Sequence, residues 1–189
     1  MRSITNKSMK LVQKGFTLVE LLIVVIILAI LAAIVIPQFS SATVDAQESA
    51  LDSNLNALRS AIDLYKVQHN GKYPSQVAAT GATCTVGAAG TGAINTEQAV
   101  IDQLTKFSSA TGTTCSGADP TTTLGPYLRK GIPADPFSNP AVTAIVVSTA
   151  GTALTAAAAT GGWKYDNKTG QIVMNSNAND SKGAAYYTH

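Results

Sequence analysis

The chain has 189 residues, of which 46% are hydrophobic and 13% charged, and its formal charge is +2. That length suits one ordinary domain plus an apolar span, with enough chain left over for a modest core. The small net charge conceals an asymmetry: Arg2, Lys7, Lys10 and Lys14 all precede Phe16, and without them nine basic side chains face eleven acidic ones. No basic patch lies beyond Phe16, so charge gives no argument for nucleic-acid binding.

From Leu18 to Ile36 the sequence reads LVELLIVVIILAILAAIVI, in which Glu20 is the single polar residue. As a helix this run is long enough to cross a hydrocarbon core. Positive charge ahead of it holds that end in the cytoplasm and places the chain beyond Pro37 outside the inner membrane. A carboxylate inside such a span needs a partner or a function. An ordinary secretory signal has a shorter apolar stretch with its small-residue cleavage site after it, which here would be Ala32-Ala33. In this chain the small residue, Gly15, comes first, and a cut between Gly15 and Phe16 would leave the apolar helix at the new N-terminus.

The stretch GFTLVELLIVVIILAILAAIVIPQF resembles the N-terminus of type IV pilins and of the pseudopilins of type II secretion almost position for position. The resemblance implies a membrane prepilin peptidase that cuts after Gly15, and methylation of the new amino-terminal residue, Phe16. Starting at Met9 would give the leader MKLVQKG, short and basic as is usual in the family. Glu20 would then be the fifth residue of the mature chain, about one helical turn from the α-amine of Phe16. The resemblance further implies that this ammonium, on one subunit, reaches the Glu20 of a neighbour when helices bundle with an axial stagger. The alternative is a Glu20 that snorkels to the headgroups from near the helix end.

Pro37 removes one backbone donor, so a kink or local loosening is expected near Ala33-Pro37. Beyond it Val44, Leu51, Leu55, Leu58, Ile62 and Tyr65 recur at spacings of three, four and seven, the apolar stripe of an amphipathic helix. Asn70-Gly71 is a stop signal, with Pro74 close behind. The expectation is one helix of about fifty residues, apolar all round in its first half and one-sided in its second. Lipid or other copies of the chain must surround the first half.

Between Pro74 and Thr122 the composition turns to Ala, Gly and Thr, which is loop composition. Asn95-Thr96-Glu97-Gln98 reads as the start of a short helix with Val100, Ile101, Leu104 and Phe107 inward. Cys84 and Cys115 bracket it. In an exported domain they most simply form one disulfide, worth roughly 3–4 kcal/mol in the chain-entropy model. Free thiols are the alternative, and a zinc site lacks a second pair or a nearby histidine. The Pro- and Gly-dense run 125–137 reads as an ordered connector and looks like the one that precedes the sheet in many major pseudopilins. Ala144–Ser148 is a candidate strand, and Trp163–Tyr165 with Gln171–Met174 flank Asp166–Gly170 as a hairpin.

The expected fold is α+β: a long N-terminal helix with a membrane-embedded first half, packed against a small antiparallel sheet. The expected divisions are a leader (1–15), an apolar assembly helix (16–37), its amphipathic continuation (38–71), an insertion (72–124) and a connector with the sheet (125–189). The likeness weakens after residue 140. Major pseudopilins carry an acidic glycine loop that binds calcium, whereas the calcium candidates here are Asn177, Asn179 and Asp180, one carboxylate among amides and a poor cage for a hard dication.

Enzyme chemistry finds no footing in the residues. His69 and His189 are isolated in sequence, and a Cys115 nucleophile served by His69 is pre-empted by a bridge to Cys84. Gly87, Gly90 and Gly92 lack the lysine-bearing loop of a phosphate cradle. The resemblance implies a structural subunit that polymerises into a helical filament, a type IV pilus or a secretion pseudopilus. Its implied partners are other copies of itself, the prepilin peptidase, an assembly platform protein with its ATPase, and inner-membrane lipid before assembly. The rival reading is a membrane-anchored periplasmic binding module that never polymerises.

Overall fold

The apolar run and the stripe behind it fold as one element, α1 (Leu18–Gln68), and the chain stays helical through Pro37. The computed structural model describes residues 15–155 and 160–189, the side chains of Ile36, Pro37 and Ser40 excepted. The leader segment 1–14, including Met9, lies outside the described residues. The chain divides into two units, Met1–Thr43 and Val44–His189.

In the first unit the described residues are the start of α1 and the three residues ahead of it. Leu18–Val35 has a mean hydropathy of 3.3 and none of it is buried. By length and composition this is a helix able to cross a membrane.

In the second unit the apolar stripe is the core. Leu51, Leu55, Leu58, Ile62 and Tyr65 are completely buried, and Ala61 joins them. Val44, at the edge of the stripe, is half-buried. The helix stops as the Asn70-Gly71 pair dictates: Asn70 takes a left-handed conformation (φ 54°) and the Gly71 amide donates back to the Lys66 carbonyl at 3.0 Å. That pairing closes a Schellman-type end and satisfies a helix carbonyl that would otherwise be orphaned.

The insertion contains α2 (Glu97–Thr105), whose N-cap is Thr96: its hydroxyl accepts from the Ala99 amide. Val100 and Leu104 face the core as expected. Phe107 does not belong to the helix. α2 ends at Thr105, and Phe107 starts the two-residue strand β1 (Phe107–Ser108), which pairs antiparallel with β2 (Thr114–Cys115). Cys84 and Cys115 are joined by a disulfide.

A second sheet is built from β3 (Ile145–Ser148), β4 (Trp163–Asp166) and β5 (Ile172–Met174). β4 and β5 form the expected antiparallel hairpin, with Gly170 at φ 76°. β3 departs from the expectation: it runs parallel to β4, from Ile145 opposite Trp163 to Ser148 opposite Asp166, so this sheet is mixed. The physical reason is the connection. Segment 149–162 is too long for a hairpin turn and lets the chain return to the start of the next strand, as a parallel pairing requires. Ile145, Trp163, Tyr165, Ile172 and Met174 join the α1 stripe in one core.

Three polar side chains on the outer flanks of the α1 stripe hold the head against the helix. Gln47 and Asn54 donate to the carbonyls of Pro136 and Ala134 in the connector, at 3.0 and 3.1 Å. Arg59 reaches the main-chain oxygens of Ile172 and His189. The Trp163 indole N–H donates to the Pro133 carbonyl at 2.8 Å, fixing the connector from the sheet side.

Candidate functional site

The segment that begins at Gly15 combines four residue types. Gly15 is exposed and a Cβ there would meet nothing within 4 Å. Phe16 is 87% exposed. Thr17 and Glu20 then form a reciprocal pair: the Thr17 amide and hydroxyl both donate to Glu20 Oε2 at 2.9 Å, and the Glu20 amide donates to the Thr17 hydroxyl at 3.2 Å. This is a capping box, with Thr17 as the N-cap of α1 and Glu20 as its third residue. Within a single subunit the carboxylate is thus held by the donors of the first turn, where the positive end of the helix dipole favours it.

The signal for this pair is the Thr-x-x-Glu spacing ahead of an apolar run, which the cost of a charge in hydrocarbon overshadows in the sequence. One carboxylate oxygen takes both bonds. The carboxylate therefore keeps acceptor capacity for a second donor.

The head holds its loops by a different means, because Ala, Gly and Thr have little to bury. Asp102 is fully buried and accepts from the amides of Thr91 and Gly92 and from Gln98, and it pairs with Lys106 at 2.8 Å. Burial alone would raise its pKa, but the Lys106 ammonium and these donors outweigh burial and hold it below the usual carboxylate range. Gly92, in the same loop, packs so close to Ala99 that a side chain would collide with α2. The glycines of this loop thus serve packing. Gln103, also fully buried, accepts from the Ser75 amide and donates to the carbonyls of Val77 and Gly112.

Asp166 does the same for the sheet. Its Oδ1 accepts from the amides of Lys168 and Thr169 in the hairpin, and its Oδ2 from the Ser148 hydroxyl and the Gly151 amide. Burial pushes this carboxyl up, yet the amides and the hydroxyl bring it down to about 2. Asn167 ties the hairpin to the insertion by donating to Ser75 Oγ and to Asn95 Oδ1.

His69 sits just beyond the end of α1, buried, with its ring stacked on Tyr65 and its nitrogens on the Tyr65 carbonyl and the Ser108 hydroxyl. Burial lowers its pKa and favours the neutral ring. This is a packing role at a helix terminus, with Cys115 committed to the disulfide. Asn177 and Asn179 are exposed, and Asp180 accepts from the amides of Lys182 and Ala184. No group of three or more His, Cys, Asp or Glu is arranged to hold a metal among the described residues.

Comparison with known proteins gives the N-terminal segment its kin. Residues 10–36 match the family model described as the prokaryotic N-terminal methylation motif. Over 63 residues the chain is 44% identical to the type II secretion system core protein G of Pseudomonas aeruginosa, covering 33% of this chain and 44% of that protein. Over 55 residues it is 51% identical to the type IV major fimbrial protein FimA of Dichelobacter nodosus, covering 29% and 35%. The N-terminal segment is similar to those of type IV pilins and type II secretion pseudopilins. Its likeness to these pilin relatives spans less than half of their length and about a third of this chain. A second core protein G, from Pectobacterium carotovorum subsp. carotovorum, is 40% identical over 63 residues, 33% of this chain and 40% of that protein. No solved structure gave a significant match.

Proposed function

We propose that the chain is a structural subunit, made as a prepilin and polymerised into a helical filament, a type IV pilus or a secretion pseudopilus. One observation carries the reading: an apolar helix exposed on all sides begins immediately after Gly15-Phe16 and opens with a carboxylate. A helix of that kind requires lipid before assembly and other copies of itself afterwards. The kinship with core protein G and FimA supports the same reading.

In this account a prepilin peptidase cuts between Gly15 and Phe16, and Phe16 is methylated on its new amine. The helix then holds the subunit in the inner membrane, with the head in the periplasm, until a platform protein and its ATPase extract it. Glu20 uses its remaining acceptor capacity for the ammonium of a neighbouring Phe16. Pro37 marks the passage from the apolar assembly helix to the amphipathic part that carries the head. The five divisions expected from the sequence, from leader (1–15) to sheet head (125–189), correspond to these roles.

The test is expression of the wild-type chain and of Glu20→Ala in cells that carry pilus or pseudopilus machinery, followed by shearing and analysis of the sheared fraction. Filaments from the wild type and membrane-retained, processed monomer from the variant are the expected results. Normal filaments from Glu20→Ala would overturn the role of the carboxylate. An exclusively monomeric wild type would overturn polymerisation.

A further inference from the structure

The chain contains a single Asn-Gly pair, Asn70-Gly71, and the fold sets it just past the end of α1. Both residues are exposed, the Asn70 carboxamide has no hydrogen-bond partner among the described residues, and a Cβ at Gly71 would meet nothing within 4 Å. A free carboxamide followed by an unhindered glycine amide can react with it, and the reaction needs water and no enzyme. We propose that Asn70-Gly71 is a self-modifying site, which converts slowly and irreversibly to aspartate and isoaspartate in the folded chain and thereby opens the end of the long helix.

The Gly71 nitrogen attacks Cγ of Asn70 and forms a C–N bond; the Cγ–Nδ2 bond breaks, and the side-chain nitrogen leaves as ammonia with the proton of the Gly71 amide. Water then opens the five-membered imide at either carbonyl, giving an aspartate or an isoaspartate whose main chain runs through the side-chain carboxyl. The helix cap gates this step. The Gly71 amide donates to the Lys66 carbonyl at 3.0 Å, which turns its nitrogen back toward the helix and away from the carboxamide. The same carbonyl accepts from the His69 amide at 3.3 Å, so releasing Gly71 leaves no carbonyl orphaned. Gly71 is exposed, so its freed amide meets water. Opening therefore costs about one ordinary hydrogen bond, at a helix end of the kind that frays.

Two anchors make the products matter. On one side His69 is buried against Tyr65 and Ser108. On the other, Tyr73 accepts from Lys66 Nζ at 2.9 Å, and its ring lies so close to Gly170 in the β4–β5 hairpin that a Cβ there would stand 2.2 Å from it. Asn70, Gly71 and Lys72 join these anchors. An isoaspartate adds one methylene to the main chain between them, which the Gly71–Lys66 pairing cannot absorb. An aspartate puts a carboxylate beside the C-terminal carbonyls of α1, which already carry negative charge. Either product weakens the cap.

The test keeps the full wild-type chain in detergent micelles for weeks, at neutral and at mildly alkaline pH, beside the same chain in denaturant. Peptide mass spectrometry with isoaspartate detection follows residue 70, and amide exchange follows Gly71 and Lys72. Conversion at residue 70 of the folded chain is expected, about fivefold slower than in denaturant, which is the protection that one ordinary hydrogen bond confers. It should be faster at the higher pH, where more of the glycine amide is ionised. Converted chains should lose protection at Gly71 and Lys72 while Leu51–Tyr65 keeps its own. An Asn70 that persists in the folded chain while it converts in denaturant would overturn the site, and equal rates in the two states would overturn the gating by the cap. Unchanged protection at Gly71 in converted chains would overturn the opening of the helix end.

Discussion

The Thr17 amide and hydroxyl converge on one oxygen of Glu20, and the Glu20 amide returns a bond to the Thr17 hydroxyl. The pair gives the carboxylate a local job within the first turn, separate from the intermolecular one in the proposed filament. Glutamine can serve the first and cannot serve the second. Glu20→Gln is therefore expected to keep the Thr17 amide protected in micelles while filament yield falls as far as in Glu20→Ala. Thr17→Ala should fray the first turn by about 1 kcal/mol with the charge intact. Amide exchange at residues 17–20, set beside the yield of sheared filaments, checks both.

Asp166 makes the head sensitive to acid. Its carboxyl is depressed in the folded chain, to about 2, so its contribution is fully present above the ordinary carboxylate range. As pH falls from about 4 to about 2 that contribution is lost, because the unfolded chain takes up the proton first. Thermal melts of the full chain in micelles should show this loss, and Asp166→Asn should flatten it.

Two tyrosines give a paired contrast. The Tyr65 hydroxyl is buried with no hydrogen-bond partner among the described residues. The Tyr165 hydroxyl donates to the Pro74 carbonyl at 3.2 Å. Tyr65→Phe should leave stability unchanged or raise it, and Tyr165→Phe should lower it by about 1 kcal/mol. Denaturant midpoints at equal slope measure the difference.

The Cys84–Cys115 bridge staples β2 to the loop before α2, where apolar burial is sparse. Replacing both cysteines with serine is expected to cost about 3–4 kcal/mol. Exchange should rise first in the 72–124 insertion and last in β4 and β5, a pattern that peptide-level hydrogen exchange resolves.

The parts of this fold legible in the sequence are those with a local cause. The Leu51–Tyr65 stripe comes from helical period, the end of α1 from Asn70-Gly71, the start of α2 from Thr96, and the β4–β5 hairpin from its glycine turn. The parallel pairing of β3 with β4 has no local signal, since segment 149–162 carries no turn type or period that fixes the direction of return. The anchoring roles of Asp102 and Asp166 have no motif in the sequence, because their partners include amides from neighbouring loops. His189 looks solitary for the same reason: Asp52, whose carboxylate lies 2.9 Å from its ring, is 137 positions away. The N-terminal segment is legible because its signal is contiguous, from Gly15 through the apolar run to Ile36.

In the proposed function the chain is cut at Gly15-Phe16 and polymerises through the helix so released. The most direct measurement is the intact mass and N-terminal peptide of sheared surface or periplasmic filaments. The expected subunit begins at Phe16 with one methyl group on its amine. A filament subunit that still carries the residues before Gly15, or a chain that begins after Ala32 and is found only as monomer, would contradict it.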